Sequence, residues 1–128
     1  MAEKNIQQQI RLAMPEHGTT LFRANVGQSW TGNDCQPLAD GSMLIRDARP
    51  FTSGLPAGFS DLFGLHPVVI TPEMVGQTVA VFCAIEVKAP RGKPTEQQHH
   101  FIDFILSHGG RAGVARSVED ARKIIDGR

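Results

Sequence analysis

Several features that mark whole classes of protein are missing from this sequence. No apolar run is long enough to span a bilayer, and polar residues rather than an apolar leader follow Met1. We therefore expect neither a membrane protein nor an exported one. An excess of charge of either sign is also missing, because Lys and Arg number 13 and Asp and Glu number 13. Any contact with nucleic acid must then come from a local basic patch rather than from the charge of the whole chain.

Cysteine is scarce. The two cysteines, Cys35 and Cys83, have neither the CxxC nor the histidine spacing of a zinc site. Cys83 lies in an apolar run, where a reduced and buried thiol is expected. This usage fits a reducing, cytoplasmic compartment. A Gly-rich phosphate loop is missing as well, so an α/β protein that binds a small ligand at its strand ends ranks last among the alternatives.

The length and the periodicity of the chain fit one α/β domain. With 128 residues, 41% of them apolar and 20% charged, we expect a single domain over residues 1–128. The apolar spacing predicts the order α-β-β-β-α-β-α. The predicted elements are a helix at 3–14, strands from 20 to 27, at 59–65 and at 79–88, a helix opened by Pro94 and Thr95, a strand at 111–115, and a helix capped by Ser117. The second and third strands are expected to pair in an antiparallel manner.

A long segment, residues 28–57, is rich in Gly, Pro, Ser and Asp. It is expected to be mostly loop, with a short strand at 42–46. Such a connection either forms a rim over a site or is a flexible insertion. Trp30 in this segment is expected to anchor the loop or to contact a second copy rather than to stack on a base.

The strand at 79–88 carries a charged pair, Glu86-x-Lys88, at the end of an apolar run. Because side chains alternate along a strand, the acid and the amine share one face. The opposite face is apolar and consists of Val81, Cys83, Ile85 and Val87. A buried carboxylate is costly unless a cation compensates it. Glu86 and Lys88 therefore form either a structural pair or half of a metal site.

Two polar residues flank this strand in the sequence. Asp61 follows Gly58 in a Gly-x-x-Asp pattern at the start of the strand before it; on its own it would be taken as a turn acid. Gln98 completes Thr95-x-x-Gln98, which is a capping box at the start of the helix after it. A cap and an active-site role compete for this one side chain.

Together, Gly58-x-x-Asp61, Glu86-Val87-Lys88 and Gln98 resemble the VRR-NUC family of the PD-(D/E)XK nuclease superfamily. The resemblance covers nearly the whole chain, and it implies a restriction-endonuclease-like core with a mixed central sheet flanked by helices. It implies that Asp61, Glu86 and the backbone carbonyl of Val87 bind Mg²⁺, that Lys88 faces the attacking water, and that Gln98 belongs to the active site. Two carboxylates and a carbonyl are also the oxygen ligands that Mg²⁺ accepts. Mn²⁺ is expected to substitute.

Related resolvases place an acid of the first helix near the metal, which suggests Glu3 as a further ligand. Glu3 falls on the apolar stripe of its helix, but it would equally stabilise the helix N-terminus by its charge. For DNA phosphate contacts the best candidates are Arg23, Asn25, Arg91 and Lys93.

A second basic cluster near the carboxyl end either follows a DNA backbone or coats a helix. It consists of Arg111, Arg116, Arg122 and Lys123.

The function expected from these residues is that of a Mg²⁺-dependent endonuclease acting on branched DNA, as a Holliday-junction resolvase does. A homodimer would present two sites to the symmetrical strands of a four-way junction. The alternatives are a less selective nuclease that nicks flapped or single-stranded DNA and a DNA-binding module of the same fold without turnover.

Overall fold

The computed structural model describes residues 2–25 and 28–127, which form a mixed α/β structure. The helices are α1 (Glu3–Ala13), α2 (Glu96–Ser107) and α3 (Val118–Asp126), with short 3₁₀ turns at Met14–His17 and Pro72–Met74. The strands are β1 (Thr20–Arg23), β2 (Gln28–Pro37), β3 (Met43–Thr52), β4 (Leu62–Leu65), β5 (Cys83–Val87) and β6 (Arg111–Ala115). Val26 and Gly27, where the first strand was expected to end, lie outside the described residues. No helix in the described part of the chain is long and apolar enough to cross a membrane.

The chain divides into two compact units, Met1–Gly64 and Leu65–Arg128. The described strands form three two-stranded sheets, in which β1 pairs with β4, β2 with β3, and β5 with β6. A continuous central sheet, in which the strand of Asp61 pairs with the strand of Glu86, is not among these three. That part of the predicted fold is not confirmed.

The first unit contains a β-hairpin where a loop was expected. β2 and β3 pair in an antiparallel manner from Gln28 opposite Thr52 to Pro37 opposite Met43. The prediction of a mostly irregular segment at 28–57 was therefore wrong. Five strands, rather than three, lie between α1 and α2.

Residues that suggested a loop lie at the hairpin turn and at two irregularities in the pairing of β2 with β3. At the hairpin turn, Asp40 Oδ1 accepts a hydrogen bond from the Ser42 N–H at 2.9 Å, and Gly41 has a φ of +90°. The pairing shifts register twice, near Asp34 and near Asp47, and these two residues have φ values of 51° and 52°. Aspartate tolerates this left-handed conformation better than most residues. The turn-forming residues thus mark the turn and two β-bulges inside regular strands.

In the second unit, β5 and β6 are parallel, with Glu86 opposite Val114 and Val87 opposite Ala115. The strand is shorter than the predicted 79–88. Its apolar face is exposed, since Ile85 is 38% and Val87 73% accessible. Cys83 on the same face is also exposed, so the predicted buried thiol was wrong. Helix α2 instead covers the opposite face, which carries Glu86.

The core of the second unit lies between α2 and β6. Ile102 and Ile105 of α2 are buried there, while Ala115 is buried on the other face of β6, which it shares with Gly113. Phe101 and Leu106, also on α2, are 42% and 50% exposed. Helix α3 packs on the other side of β6, where a Cβ on Gly113 would lie 2.9 Å from Cγ1 of Ile124. This glycine lets the helix approach the strand closely.

Candidate active site

The charged pair of β5 lies on one face of the strand end, as predicted. Lys88 Nζ is 3.6 Å from Glu86 Oε1, and the two side chains are 22% and 31% exposed, respectively. This separation is longer than the roughly 2.8 Å of a charge-assisted hydrogen bond. The ammonium group therefore lies beside the carboxylate without being fixed to it by a short bond.

Gln98 makes the helix cap and a contact with Glu86 at the same time, so these two contacts do not compete for its side chain. Its carbonyl oxygen accepts a hydrogen bond from the Thr95 N–H at 2.8 Å, and Thr95 Oγ1 accepts one from the Gln98 N–H at 3.1 Å. Its amide nitrogen donates to Glu86 Oε1 at 2.9 Å. Because the cap uses the oxygen and the carboxylate uses the nitrogen, the capping box fixes which end of the amide faces Glu86.

Among the described residues, the contacts of Glu86 leave its Oε2 available. The hydrogen bond from Gln98 and the ion pair with Lys88 both reach Oε1. Within residues 2–25 and 28–127, no group of three or more His, Cys, Asp or Glu side chains is placed to hold a metal ion. A metal at this end of β5 would thus depend on fewer side chains, together with backbone carbonyls such as that of Val87.

A cleft of about 450 Å³ opens between the end of β5 and the start of α2. Its walls are formed by Ala84, Ile85, Glu86, Thr95, Gln97, Gln98, Phe101 and Ile102. Glu86 and Gln98 make one wall polar, and Phe101 and Ile102 make another apolar. The volume lies in the range of natural ligand sites, about 300–1,000 Å³.

Asp61 and Glu3 lie in the first unit. Asp61 immediately precedes β4; its side chain is exposed and its backbone carbonyl accepts a hydrogen bond from the Ala24 N–H at 2.9 Å. Glu3 is the first residue of α1 and is also exposed. The apolar stripe of that helix is not buried, because Ile6 and Ile10 are 45% and 39% accessible. The roles of Asp61 and Glu3 as ligands stay predictions.

The four residues predicted to contact phosphate are all exposed. Arg23 ends β1 and Asn25 follows it two residues later, in the first unit. In the second unit, Arg91 and Lys93 flank Gly92, whose N–H donates to the Ala89 carbonyl at 2.9 Å and closes a tight turn.

Arg116 is a residue whose place the sequence reasoning missed. Its guanidinium Nη2 donates to the Gly92 carbonyl at 2.7 Å. It was assigned only to a basic cluster at the carboxyl end. The signal that would have found it is the parallel pairing of β5 with β6, which brings the ends of the two strands to the same edge.

The adjacent histidines of α2, His99 and His100, are exposed, and neighbouring residues of a helix point in different directions. His100 Nε2 lies 3.9 Å from Glu96 Oε1 on the outer face of the helix.

Sequence comparison identifies a known family. A family model described as the VRR-NUC domain matches residues 1–119 of the 128-residue chain. No curated protein and no solved structure matches the chain at a significant level.

Proposed function

Because this chain belongs to the VRR-NUC family of nuclease domains, we propose that it is a Mg²⁺-dependent endonuclease that cuts phosphodiester bonds in branched DNA. The observation that carries the proposal is the contact of Glu86 Oε1 with Gln98 Nε2 at 2.9 Å, beside Lys88 Nζ at 3.6 Å, in a cleft open to solvent. A purely structural ion pair would need neither the amide nor the cleft.

The donor atoms at the end of β5 suit a hard divalent cation. The contacts of Glu86 to described residues leave Oε2 for an ion, and the backbone carbonyl of Val87 adds a second oxygen. Asp61 would supply the second carboxylate. Mg²⁺ accepts one or two carboxylates and keeps several waters, so this small set of ligands is sufficient. When bound, Mg²⁺ neutralises charge at the phosphate and lowers the pKa of a water; Mn²⁺ would substitute for it.

The side chains around the carboxylate have separate tasks. Gln98 holds Oε1 and thereby orients the plane of the Glu86 carboxylate. Lys88 provides a positive charge beside the attacked phosphate, where it orients the attacking water and stabilises the charge that develops on the phosphate oxygens. By the family resemblance, the products carry 5′-phosphate and 3′-hydroxyl ends.

Asp61 lies in the first unit and Glu86 in the second, and the proposal that both bind one ion is carried by the family resemblance. Glu3 at the start of α1 would then be a further ligand from the same unit as Asp61.

A homodimer would present two such sites to the two symmetrical strands of a four-way junction. Contacts with DNA phosphates would come from Arg23, Asn25, Arg91 and Lys93. These side chains recognise the backbone, and backbone contacts alone do not read base sequence. A preference for DNA structure rather than for sequence follows.

The direct test compares cleavage of a four-way junction, a flap and a linear duplex of matched sequence at one Mg²⁺ concentration. Symmetrical cuts in the junction, with slower cleavage of the other two, are expected. Equal rates on all three would identify a less selective nuclease. Binding without cleavage in Mg²⁺ or Mn²⁺, with Glu86→Ala binding as well as the natural protein, would identify a DNA-binding module without turnover.

A further inference from the structure

In the second unit, a single arginine side chain connects the segment that follows β6 to the turn that follows β5. Arg116 Nη2 donates to the carbonyl of Gly92 at 2.7 Å, across 24 residues of sequence. Gly92 lies between Arg91 and Lys93, the two cations of the tight turn after β5. The arginine thus contacts the backbone of the turn at its central residue.

The strand pairing places Arg116 within reach of this turn. The Lys88 N–H donates to the carbonyl of Ala115 at 3.0 Å, which extends the ladder by one residue beyond Val87. Arg116 follows Ala115 directly, at the same edge of the sheet as Lys88. Its own N–H donates to Asp120 Oδ2 at 2.9 Å, so the start of α3 fixes the backbone from which the side chain extends.

The backbone of Arg116 is held in turn by residues of the N-terminal cap of α3. The Asp120 N–H donates to Ser117 Oγ at 3.1 Å, which is the N-cap contact of α3. Asp120 therefore receives a bond from Arg116 and makes one to Ser117, and the first turn of the helix is tied to the end of β6. A side chain that starts from such a fixed backbone can hold a less regular segment in place.

Within residues 2–25 and 28–127, the turn makes few other hydrogen bonds. The bond from the Gly92 N–H to the Ala89 carbonyl closes it internally, and the side chains of Arg91 and Lys93 are exposed. An exposed turn with few hydrogen bonds opens easily. The bond from Arg116 is made by a charged donor, which is the stronger kind of hydrogen bond.

The charge of Arg116 also remains largely uncompensated. Its guanidinium donates to a neutral carbonyl, and no carboxylate of the described residues lies within ion-pair distance of it. Three positive charges, from Arg91, Lys93 and Arg116, therefore occur around one turn beside the end of β5. This is the local basic patch that a chain without net charge needs in order to bind DNA.

We propose that Arg116 is a positioning residue of the DNA-binding surface: it holds the turn of residues 89–93 so that Arg91 and Lys93 reach phosphates next to the candidate active site. The proposal rests on the proposed nuclease function. It differs from a role for Arg116 as one more independent phosphate contact, because a positioning residue acts through the other two cations.

A double-mutant cycle separates these two roles. The dissociation constant of a four-way junction is measured without divalent metal for the natural protein, Arg116→Met, the pair Arg91→Ala with Lys93→Ala, and all three changes together. Arg116→Met is expected to weaken binding about tenfold alone and less than about twofold in the pair background. For Arg116→Met, the slope of log affinity against log salt concentration is expected to fall by about two or more. The loss of a single phosphate contact would lower it by roughly one.

Arg46→Met is the matched control. Arg46 is an exposed arginine of β3 that lies 3.2 Å from Asp34, and its loss changes the net charge equally. It is expected to change the dissociation constant by less than about twofold. Equal effects of Arg116→Met in the natural and the pair background would overturn the proposal, as would an effect no larger than that of Arg46→Met.

A second measurement tests the position of the turn without DNA. Trypsin cleaves after Arg91, whereas the bond after Lys93 is protected by Pro94. Arg116→Met is expected to speed the cut after Arg91 several-fold, while Arg46→Met leaves its rate unchanged. If the chain cut no DNA but Arg116→Met still sped the tryptic cut after Arg91, the nuclease proposal alone would fall. If junctions were cut but trypsin cleaved after Arg91 at the same rate in Arg116→Met and in the natural protein, the positioning role would fall.

Discussion

The amide nitrogen of Gln98 lies 2.9 Å from Oε1 of Glu86, while the amide oxygen of the same side chain closes the cap of α2. The helix start and the candidate active site therefore share one residue. A change at Gln98 alters both, and the two effects are separable by the choice of substitution.

Gln98→Glu tests the contact with Glu86. The new carboxylate can still accept the hydrogen bond from the Thr95 N–H, so the cap should survive. It would, however, place two like charges about 3 Å apart, which raises the pKa of one of them and opposes the orientation of Glu86. We expect cleavage to slow about a hundredfold, with a small change in thermal stability. Thr95→Ala is the control, because it weakens the cap, by about 1 kcal/mol, and leaves the amide beside Glu86. Similar cleavage rates for Gln98→Glu and the natural protein would contradict the assignment.

Glu86→Gln tests the carboxylate as a ligand. The side-chain oxygen of the new amide still accepts the bond from Gln98, so the fold should be retained. The negative charge that attracts a cation is lost, and we expect no detectable cleavage, even when Mg²⁺ is raised tenfold. Cleavage assays across a Mg²⁺ series, together with junction binding, measure this. Restoration of the rate by high Mg²⁺ would instead indicate that Glu86 only assists the binding of the metal.

Asp61→Asn tests whether the first unit contributes a ligand. If Asp61 joins Glu86, the loss of its charge should reduce the rate at least about a hundredfold and shift the Mg²⁺ dependence to higher concentration. Asp103→Asn is the matched control, since Asp103 is an exposed aspartate on α2. A rate for Asp61→Asn equal to that of the control would assign Asp61 to the turn alone.

Gly64→Ala tests the packing of β4 against β1. A Cβ at Gly64 would overlap the carbonyl oxygen of Thr20, which is backbone and cannot move aside without displacing the strand. We expect the free energy of unfolding to fall by about 1–3 kcal/mol, as for other overpacked sites. At Gly92 the nearest atom to an added Cβ would be 3.4 Å away, so Gly92→Ala should cost much less. Denaturant unfolding of the two variants provides the comparison.

The hairpin turn has a pH dependence of known sign. The backbone N–H of Ser42, followed by its hydroxyl, holds the pKa of Asp40 below that of an ordinary aspartate. Since the folded pKa is the lower one, the contribution of this carboxylate to stability is present above the unfolded pKa and is lost as the pH falls through the folded value. A titration of the Asp40 carboxyl by NMR should show the lowered pKa, and Ser42→Pro, which removes the N–H, should bring it back towards the ordinary value.

The sequence predicted best where the signal is local. The capping box of Thr95 and Gln98 needs only four consecutive residues, and the shared face of Glu86 and Lys88 needs only the alternation of a strand. Both were confirmed. The cap of α3 by Ser117 was confirmed for the same reason.

The sequence predicted worst where the outcome depends on distant residues. The hairpin was missed because Gly, Pro and Asp indicate turns but do not show how many residues lie in the strands around them; here two aspartates lie in bulges. Cys83 was expected to be buried because it lies in an apolar run, but such a run does not say which face of the strand a helix will cover. Gln98 holds α2 against Glu86, and this contact joins residues 12 positions apart.

The two bulges of the hairpin have a consequence for solubility. A two-stranded ribbon with exposed Trp30 and Phe51 offers open strand edges to which other chains could add. The longest uninterrupted part of its ladder is Gln28 to Thr31 opposite Arg49 to Thr52, because the left-handed residues Asp34 and Asp47 break the pairing beyond it. A bulge twists and bends the strand that contains it, so a flat second ribbon cannot stack along the edge. We therefore expect the two aspartates that made this hairpin resemble a loop also to oppose the addition of other strands along its edges.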